Sequence, residues 1–208
     1  MPKLSSSRPY YLLGRQLASV TRLVSPHEPS HLRVDGRIVL KDGREVTYRE
    51  ARRGDEEAID LLLSRLAEES LYNRYIGYRR PAKEEIRASL EGEGSREIIL
   101  VALPVGSENE IVAQVGCVFL DPPTTAELDM IVRDDWQNQG LGTVLLKAML
   151  SCAWQAGVER IVGVIGLSND RMIHVLYKLG FTTHTRHYDH LEMSLVVSSQ
   201  MERTLDGD

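Results

Sequence analysis

The sequence predicts a mixed α/β domain in which a mostly antiparallel sheet carries the helices. Three observations point there. Three consecutive strand-like runs lie between residues 98 and 133, a glycine-bearing turn at 137–142 leads from the last of them into a helix-like run, and a strand, a helix and two further strands follow. At 208 residues the chain has room for one domain of ordinary size plus an extension, and not for two large ones.

Residues 1–35 differ from the rest. Ser5, Ser6 and Ser7 precede a stretch at 10–24 that is able to form a helix, followed by Pro26, His27, Pro29 and His31. This reads as an N-terminal extension or linker with His27 and His31 as exposed loop histidines. The domain is expected at 36–198 and a loose tail at 199–208. A hairpin opens the domain, with residues 37–40 and 45–51 flanking Asp42-Gly43, a pair favoured in two-residue turns. Asp55 is placed as the N-cap of a helix whose first turn holds Glu56 and Glu57 and whose apolar face is Ile59, Leu62, Leu63 and Leu66. Residues 72–78 are expected to connect it to a second short helix at 83–90, after Pro81.

The runs at 98–105, 111–120 and 126–133 are separated by a polar loop and by Pro122-Pro123, and should form an antiparallel meander. After the glycine turn, Leu141, Val144, Leu145, Ala148, Met149 and Cys152 recur at helical spacing. Residues 160–167 are rich in β-branched side chains, as a strand is. A helix from Asn169 to Leu179 ends at Gly180 as a left-handed cap, and 181–188 and 191–197 complete the sheet.

A formal net charge of -5 and a pI near 5.7 argue against nucleic acid as the main partner. Arg74, Arg79, Arg80, Lys83 and Arg87 form one basic island. It reads as a solvated helix-flanking face, the alternative being a contact for cofactor phosphates or an acidic partner. No apolar run approaches the roughly 20 residues that cross a bilayer, and the N-terminus has no secretory pattern, so a cytoplasmic location is expected. Cys117 and Cys152 have neither disulfide-framework nor zinc spacing and are expected to be buried thiols. No metal is expected either: His184, His187 and His190 alternate faces if they share a strand, and so do not converge.

The chemistry concentrates at Gln137-Asn138-Gln139-Gly140-Leu141-Gly142. The first turn of a helix has main-chain N–H groups without partners, and the helix dipole adds partial positive charge there, so an anion satisfies both. No third glycine follows at dinucleotide-loop spacing and no Gly-Lys-Ser/Thr closes the turn. The segment resembles instead the Q/R-x-x-G-x-G/A pyrophosphate loop of the GNAT superfamily of acyl-CoA N-acyltransferases, on Gln137, Gly140 and Gly142. Asn169, Met172 and Lys178-Leu179-Gly180-Phe181 resemble its second signature, and the resemblance spans residues 45–197. The opening, Lys41-Asp42-Gly43 with Arg49-Glu50-Ala51-Arg52 and then Glu69 to Tyr75, is similar to the bacterial protein lysine acetyltransferases.

This resemblance implies a GNAT fold: a twisted, mostly antiparallel sheet, helices on both faces and a splayed central strand pair. It implies acetyl-CoA as donor and an amine acceptor, a protein lysine first and a small-molecule amine second. A non-catalytic acyl-CoA-binding sensor is the rival from another class. Main-chain groups of Ile131 and Val132 would hold pantetheine, with Val132 N–H also facing the oxyanion. Those of Gln137, Asn138, Gln139, Gly140, Leu141, Gly142 and Thr143 would hold the pyrophosphate, and Asn169 joins them from the second signature.

A free lysine has a pKa of about 10.4, so acetyl transfer near neutrality needs a general base. The resemblance gives Glu127. Period two along the strand puts Glu127, Asp129 and Ile131 on one face, which makes Asp129 a second candidate. Two such carboxylates, about 7 Å apart on a regular strand, raise each other's pKa modestly. Many members protonate the leaving thiolate with a tyrosine where this chain has Leu176. Tyr177 is carried as a candidate acid although it lies about 100° further round the helix, packing being its other reading. Trp136 and Trp154 are expected to pack.

Overall fold

The computed structural model describes residues 35–75, 80–91 and 97–197. The expected N-terminal extension with His27 and His31, Arg79 of the basic island and the tail at 199–208 lie outside the described residues. Eight strands and five helices follow in chain order: β1 (Gly36–Val39), β2 (Glu45–Glu50), α1 (Glu56–Ser64), α2 (Glu68–Tyr75), α3 (Lys83–Glu91), β3 (Glu97–Pro104), β4 (Ala113–Phe119), β5 (Thr125–Val132), α4 (Leu141–Gln155), β6 (Arg160–Gly166), α5 (Asp170–Lys178), β7 (Thr182–Arg186) and β8 (His190–Val196), with a 3-10 turn at Asp134–Trp136. They form one sheet in the order β1-β2-β3-β4-β5-β6-β8-β7. Every neighbouring pair is antiparallel except β5 and β6.

β3 shows why the sheet is covered on both faces. Its six central residues are all buried, and they divide by parity: Ile98, Leu100 and Ala102 pack with Leu145, Leu146, Met149 and Leu150 of α4, whereas Ile99, Val101 and Leu103 pack with Ile59, Leu62 and Leu63 of α1 and Ile86 of α3. A strand buried on both sides reads as a continuous apolar run rather than an alternation. The buried surface of α4 is broader than the predicted stripe. Leu146, Leu150 and Ala153 join it, while Val144 and Ala148 are half-buried.

α2 departs from the expected connector, since residues 72–75 lie inside a helix. It has no apolar stripe to announce it, and polar pins hold it. Asp134 accepts from Ala67 N–H at 2.8 Å and from Ser70 Oγ at 2.6 Å, and Arg74 reaches Asp129 of β5 at 2.7 Å. Two turn details differ as well. Leu40 N–H donates to Arg44 C=O at 2.8 Å, so the first hairpin closes over three residues, Lys41, Asp42 and Gly43. Asp55 sits at the N-cap of α1 without capping it. Its carboxylate takes two bonds from Arg49, at 2.7 and 2.9 Å, and one from Arg52 N–H at 2.8 Å. Cys117 and Cys152 are free and buried, as expected.

Leu145 of α4 is wholly inaccessible, so Leu145→Ala should cost about 2–5 kcal/mol in urea unfolding. Tyr188, 99% exposed, should change stability by no more than about 0.5 kcal/mol when truncated to Ala. Equal costs at the two positions would contradict this account of the core.

Candidate active site

β5 and β6 run together for three residues only: Thr125, Ala126 and Glu127 pair with Arg160, Ile161 and Val162. β5 continues to Val132 and β6 to Gly166, and no ladder joins these remainders among the described residues. The two strands therefore part just beyond Glu127. The β4–β5 register, with Leu120 N–H donating to Thr125 C=O and Arg133 N–H to Val112 C=O, fixes which groups face the gap. In an antiparallel pair, alternate residues direct their main-chain groups to the partner. Those of Glu127, Asp129 and Ile131 go to β4, and those of Leu128, Met130 and Val132 go to the opening.

The parting strands border a cleft of about 1180 Å³ lined by Glu127, Asp129 and Val132, by the loop after β5, by α2 and by α5. At its far end β5 passes into the 3-10 turn, then Gln137, Asn138 in the left-handed region (φ 64°), Gly140 (φ 91°) and α4. Gly140 takes a backbone conformation that an L side chain resists. Gly142 answers to packing: a Cβ there would lie 3.0 Å from Met130 Cε and 3.6 Å from Val132 Cγ2, so the first turn of α4 sits directly on β5. The first helical bond of α4 is Val144 N–H to Gly140 C=O at 3.2 Å. The N–H groups of Leu141, Gly142 and Thr143 precede it, directed out of the helix end. Gln137 N–H, by contrast, is bound to Asp134 C=O at 3.2 Å.

The β1–β2 hairpin braces this loop. Lys41 N–H donates to Gln139 C=O at 3.2 Å and Arg44 Nη2 to Asp135 C=O at 3.0 Å. The Arg44 guanidinium lies 3.9 Å from the ring centre of Trp136, which is buried as expected. From the other side Gln137 Nε2 donates to Val132 C=O at 2.9 Å, while its Oε1 accepts from Arg171 of α5. A helix N-terminus opening beside an unpaired strand edge, with Lys41 at the cleft wall, fits a group that carries a diphosphate at one end and amides along its length.

A sequence profile of the Acetyltransferase (GNAT) family matches residues 63–181. The chain belongs to this family. It is an N-acetyltransferase, and enzymes of the family take their acyl group from acetyl-CoA. Solved structures share the fold at low identity. The GNAT domain of S. lividans PAT is 20% identical with a TM-score of 0.71, the match covering 82% of this chain and 99% of that one. A cAMP-binding acyltransferase from Mycobacterium smegmatis is 21% identical with a TM-score of 0.59, covering 84% of this chain and 50% of the other. Spermidine N-acetyltransferase from Vibrio cholerae, solved with CoA and spermine, is 16% identical with a TM-score of 0.60, covering 73% and 95%.

Within this GNAT domain, burial pushes the Glu127 carboxyl up to about 7; the charge of Asp129 adds to the rise and that of Arg74 opposes it. Glu127 and Asp129 share a face, as period two requires. Asp129, however, is engaged by Arg74, with only 12% and 7% of the two side chains exposed. Asn169 lines the cleft, and its side chain accepts from Met172 N–H at 3.2 Å as the N-cap of α5. Tyr177 is not brought to the cleft: it is 48% exposed, its hydroxyl 2.5 Å from Thr183 Oγ1, and Leu176 lies buried in its stead. Ile131 is buried against α1 and α3. Of the basic island's described residues, Arg74 is paired to Asp129, Arg80 to Asp60, Lys83 to Glu57 and Arg87 to Glu56.

His187 and His190 do converge, against expectation, because they flank a turn instead of sharing a strand. Their rings stack with centres 4.3 Å apart, and His187 meets Glu192 at 3.1 Å. Lys41, Arg74 and Arg171 line the cleft, and the sequence did not place them there. Arg74 had two signals, its place in the basic island and its place in the Glu69 to Tyr75 segment, and neither names Asp129 as its partner.

Because Glu127 has a folded pKa of about 7 against its ordinary 4.5, its contribution to stability is complete below 4.5 and lost as pH rises through 7. Urea unfolding should show wild type losing stability relative to Glu127→Gln between pH 4.5 and 8, by at most about 3 kcal/mol. Parallel curves would contradict the buried carboxyl.

Proposed function

We propose that this chain transfers the acetyl group of acetyl-CoA directly to a primary amine, with a protein lysine side chain as first acceptor and Glu127 as general base. The observation that carries the reading is Glu127 at the vertex where β5 and β6 part, half-buried and held near neutrality in its proton affinity. A base works best when its pKa lies near the working pH. The GNAT domain is assigned to residues 36–198. The two buried free thiols fit a reducing compartment, the cytoplasm.

Acetyl-CoA supplies the activated acyl carbon when bound. Leu141, Gly142 and Thr143 hold its diphosphate by their N–H groups, together with the main chain of Asn138 to Gly140. Val132 offers its gap-facing N–H to the acyl oxygen as negative charge grows there, a contribution of a few kcal/mol where such donors are fixed in advance. Glu127 takes a proton from the acceptor ammonium. The freed lone pair forms the N–C bond, the nitrogen then gives up its second proton to water, the C–S bond breaks and the thiolate gains a proton from solvent, to which Glu127 also returns its own. A thiol of pKa near 8.5 is a tolerable leaving group without a dedicated acid, and no tyrosine lines the cleft among the described residues.

Support for a protein lysine comes from the resemblance of the Lys41-Asp42-Gly43 and Glu69 to Tyr75 segments to protein lysine acetyltransferases. A small polyamine is the second reading, favoured by the acidic wall of Glu69, Glu97, Glu127 and Asp129. The rival expectation of a non-catalytic acyl-CoA sensor has only the burial of Leu176 beside an outward Tyr177 on its side, against membership in a family of N-acetyltransferases.

Glu127→Gln should lower kcat for a lysine peptide by about 10²–10⁴ while CoA affinity by calorimetry stays within twofold. Equal turnover in both proteins would remove Glu127 from its role, and no turnover in either with tight CoA binding would leave the sensor reading.

A further inference from the structure

Asp129 faces the same cleft as Glu127, yet its surroundings suit another task. On one side Arg74 of α2 meets Oδ2 at 2.7 Å. On the other, Asp129 stands opposite Gly116 of β4, where a Cβ would lie 2.8 Å from Oδ1. Oδ1 is buried and has no hydrogen-bond partner among the described residues. Its charge is therefore answered by Arg74 and packed against a residue that leaves it room.

A buried carboxylate two residues from the base is a hazard if its charge is not compensated. Among the described residues the ionisable groups lining the cleft with Glu127 are Asp129 on β5 itself, Arg74 and Glu69 from α2, Glu97 from β3, Asp170, Arg171, His174 and Lys178 from α5, His190 from β8, and Lys41, Asp134 and Asp189 from the connecting turns. The facing residues of β4 and β6, Val118 and Val162, carry no charge. Of these groups, Asp129 and Arg74 act on Glu127 appreciably, and in opposite senses.

We propose that Arg74 is a positioning residue of this site: by closing an ion pair on Asp129, seated over Gly116, it neutralises the second carboxylate of the strand and leaves Glu127 as the one group there free to take the acceptor's proton. The inference rests on the assignment of Glu127 as base. It gives Asp129 a structural charge in place of a proton-accepting role, and it gives α2, a helix without an apolar stripe, a reason to be pinned across the cleft.

The test is a ¹³C NMR titration of the Glu127 carboxyl in the ligand-free protein, beside a pH–rate profile. In Arg74→Gln the Glu127 titration should move up by about one pH unit, and the rate at pH 7 should fall about fivefold and recover at pH 9. Arg74→Lys should restore most of the shift. The double variant Arg74→Gln with Asp129→Asn, which removes both charges, should titrate close to wild type. A variant damaged only in its packing would lose rate at every pH.

A folded Arg74→Gln protein whose Glu127 titrates as in wild type overturns the proposal, as does a double variant no different from the single one. Should Arg74→Gln not fold, Gly116→Ala carries the test by displacing Asp129 without changing any charge. It too should move the Glu127 titration, and an unmoved titration in that folded variant overturns the proposal. An inactive wild type, or an active Glu127→Gln, instead defeats the assignment of the base.

Discussion

Everything in the site follows from β5 and β6 keeping company for three residues and then separating. An unpaired strand edge inside a sheet is costly unless its N–H and C=O groups find partners. Here Val132 C=O is met by Gln137 Nε2, and the opening that remains suits a ligand with amide groups of its own. The same separation sets Glu127 at the vertex and leaves α4 to begin at the far end. Donors for an anion and a proton acceptor thus lie at opposite ends of one strand.

A loop with two residues at positive φ, followed by a helix end with unpaired donors, does not hold its shape unaided. Its rigidity comes from outside. The β1–β2 hairpin grips it through Lys41 and Arg44, with the Arg44 guanidinium over the ring of Trp136, a contact that contributes on the order of 0.5–2 kcal/mol. Arg133 anchors the same segment with two bonds to Asp135 and one to Glu110. α2 closes the opposite wall through Asp134 and Asp129. The groups that line the cleft thus rest on charged and polar contacts, while the apolar cores behind them supply the stability.

The succession of strands and helices along the chain, the glycine turn and the face shared by Glu127 and Asp129 were legible because each is a local property, a run of β-branched residues, a period of two or a glycine in a turn. What escaped was tertiary. α2 carries no apolar periodicity, since carboxylates distant in sequence hold it in place of a core. Asp55 has the right type and position for a cap, but Arg49 is nearer its charge. His187 and His190 would diverge if they shared one strand, and the turn between β7 and β8 brings them together instead. Ile131 and Val132, as strand neighbours, turn their main chains to opposite sides, and only the register of β5 on β4 shows that Val132 is the one that faces the opening. Leu176 stands where the resemblance would put an acid, and the structure adds that the neighbouring Tyr177 does not line the cleft.

The most direct measurement is a titration of ¹⁵N-labelled protein with CoA, followed amide by amide. The account predicts saturable shifts concentrated at Leu128, Met130, Val132 and Leu141 to Thr143, with Asp129 and Ile131, whose N–H groups belong to the β4 ladder, moving far less. Saturable binding that leaves Val132 and the first turn of α4 unmoved would contradict it, and so would an absence of binding at millimolar CoA.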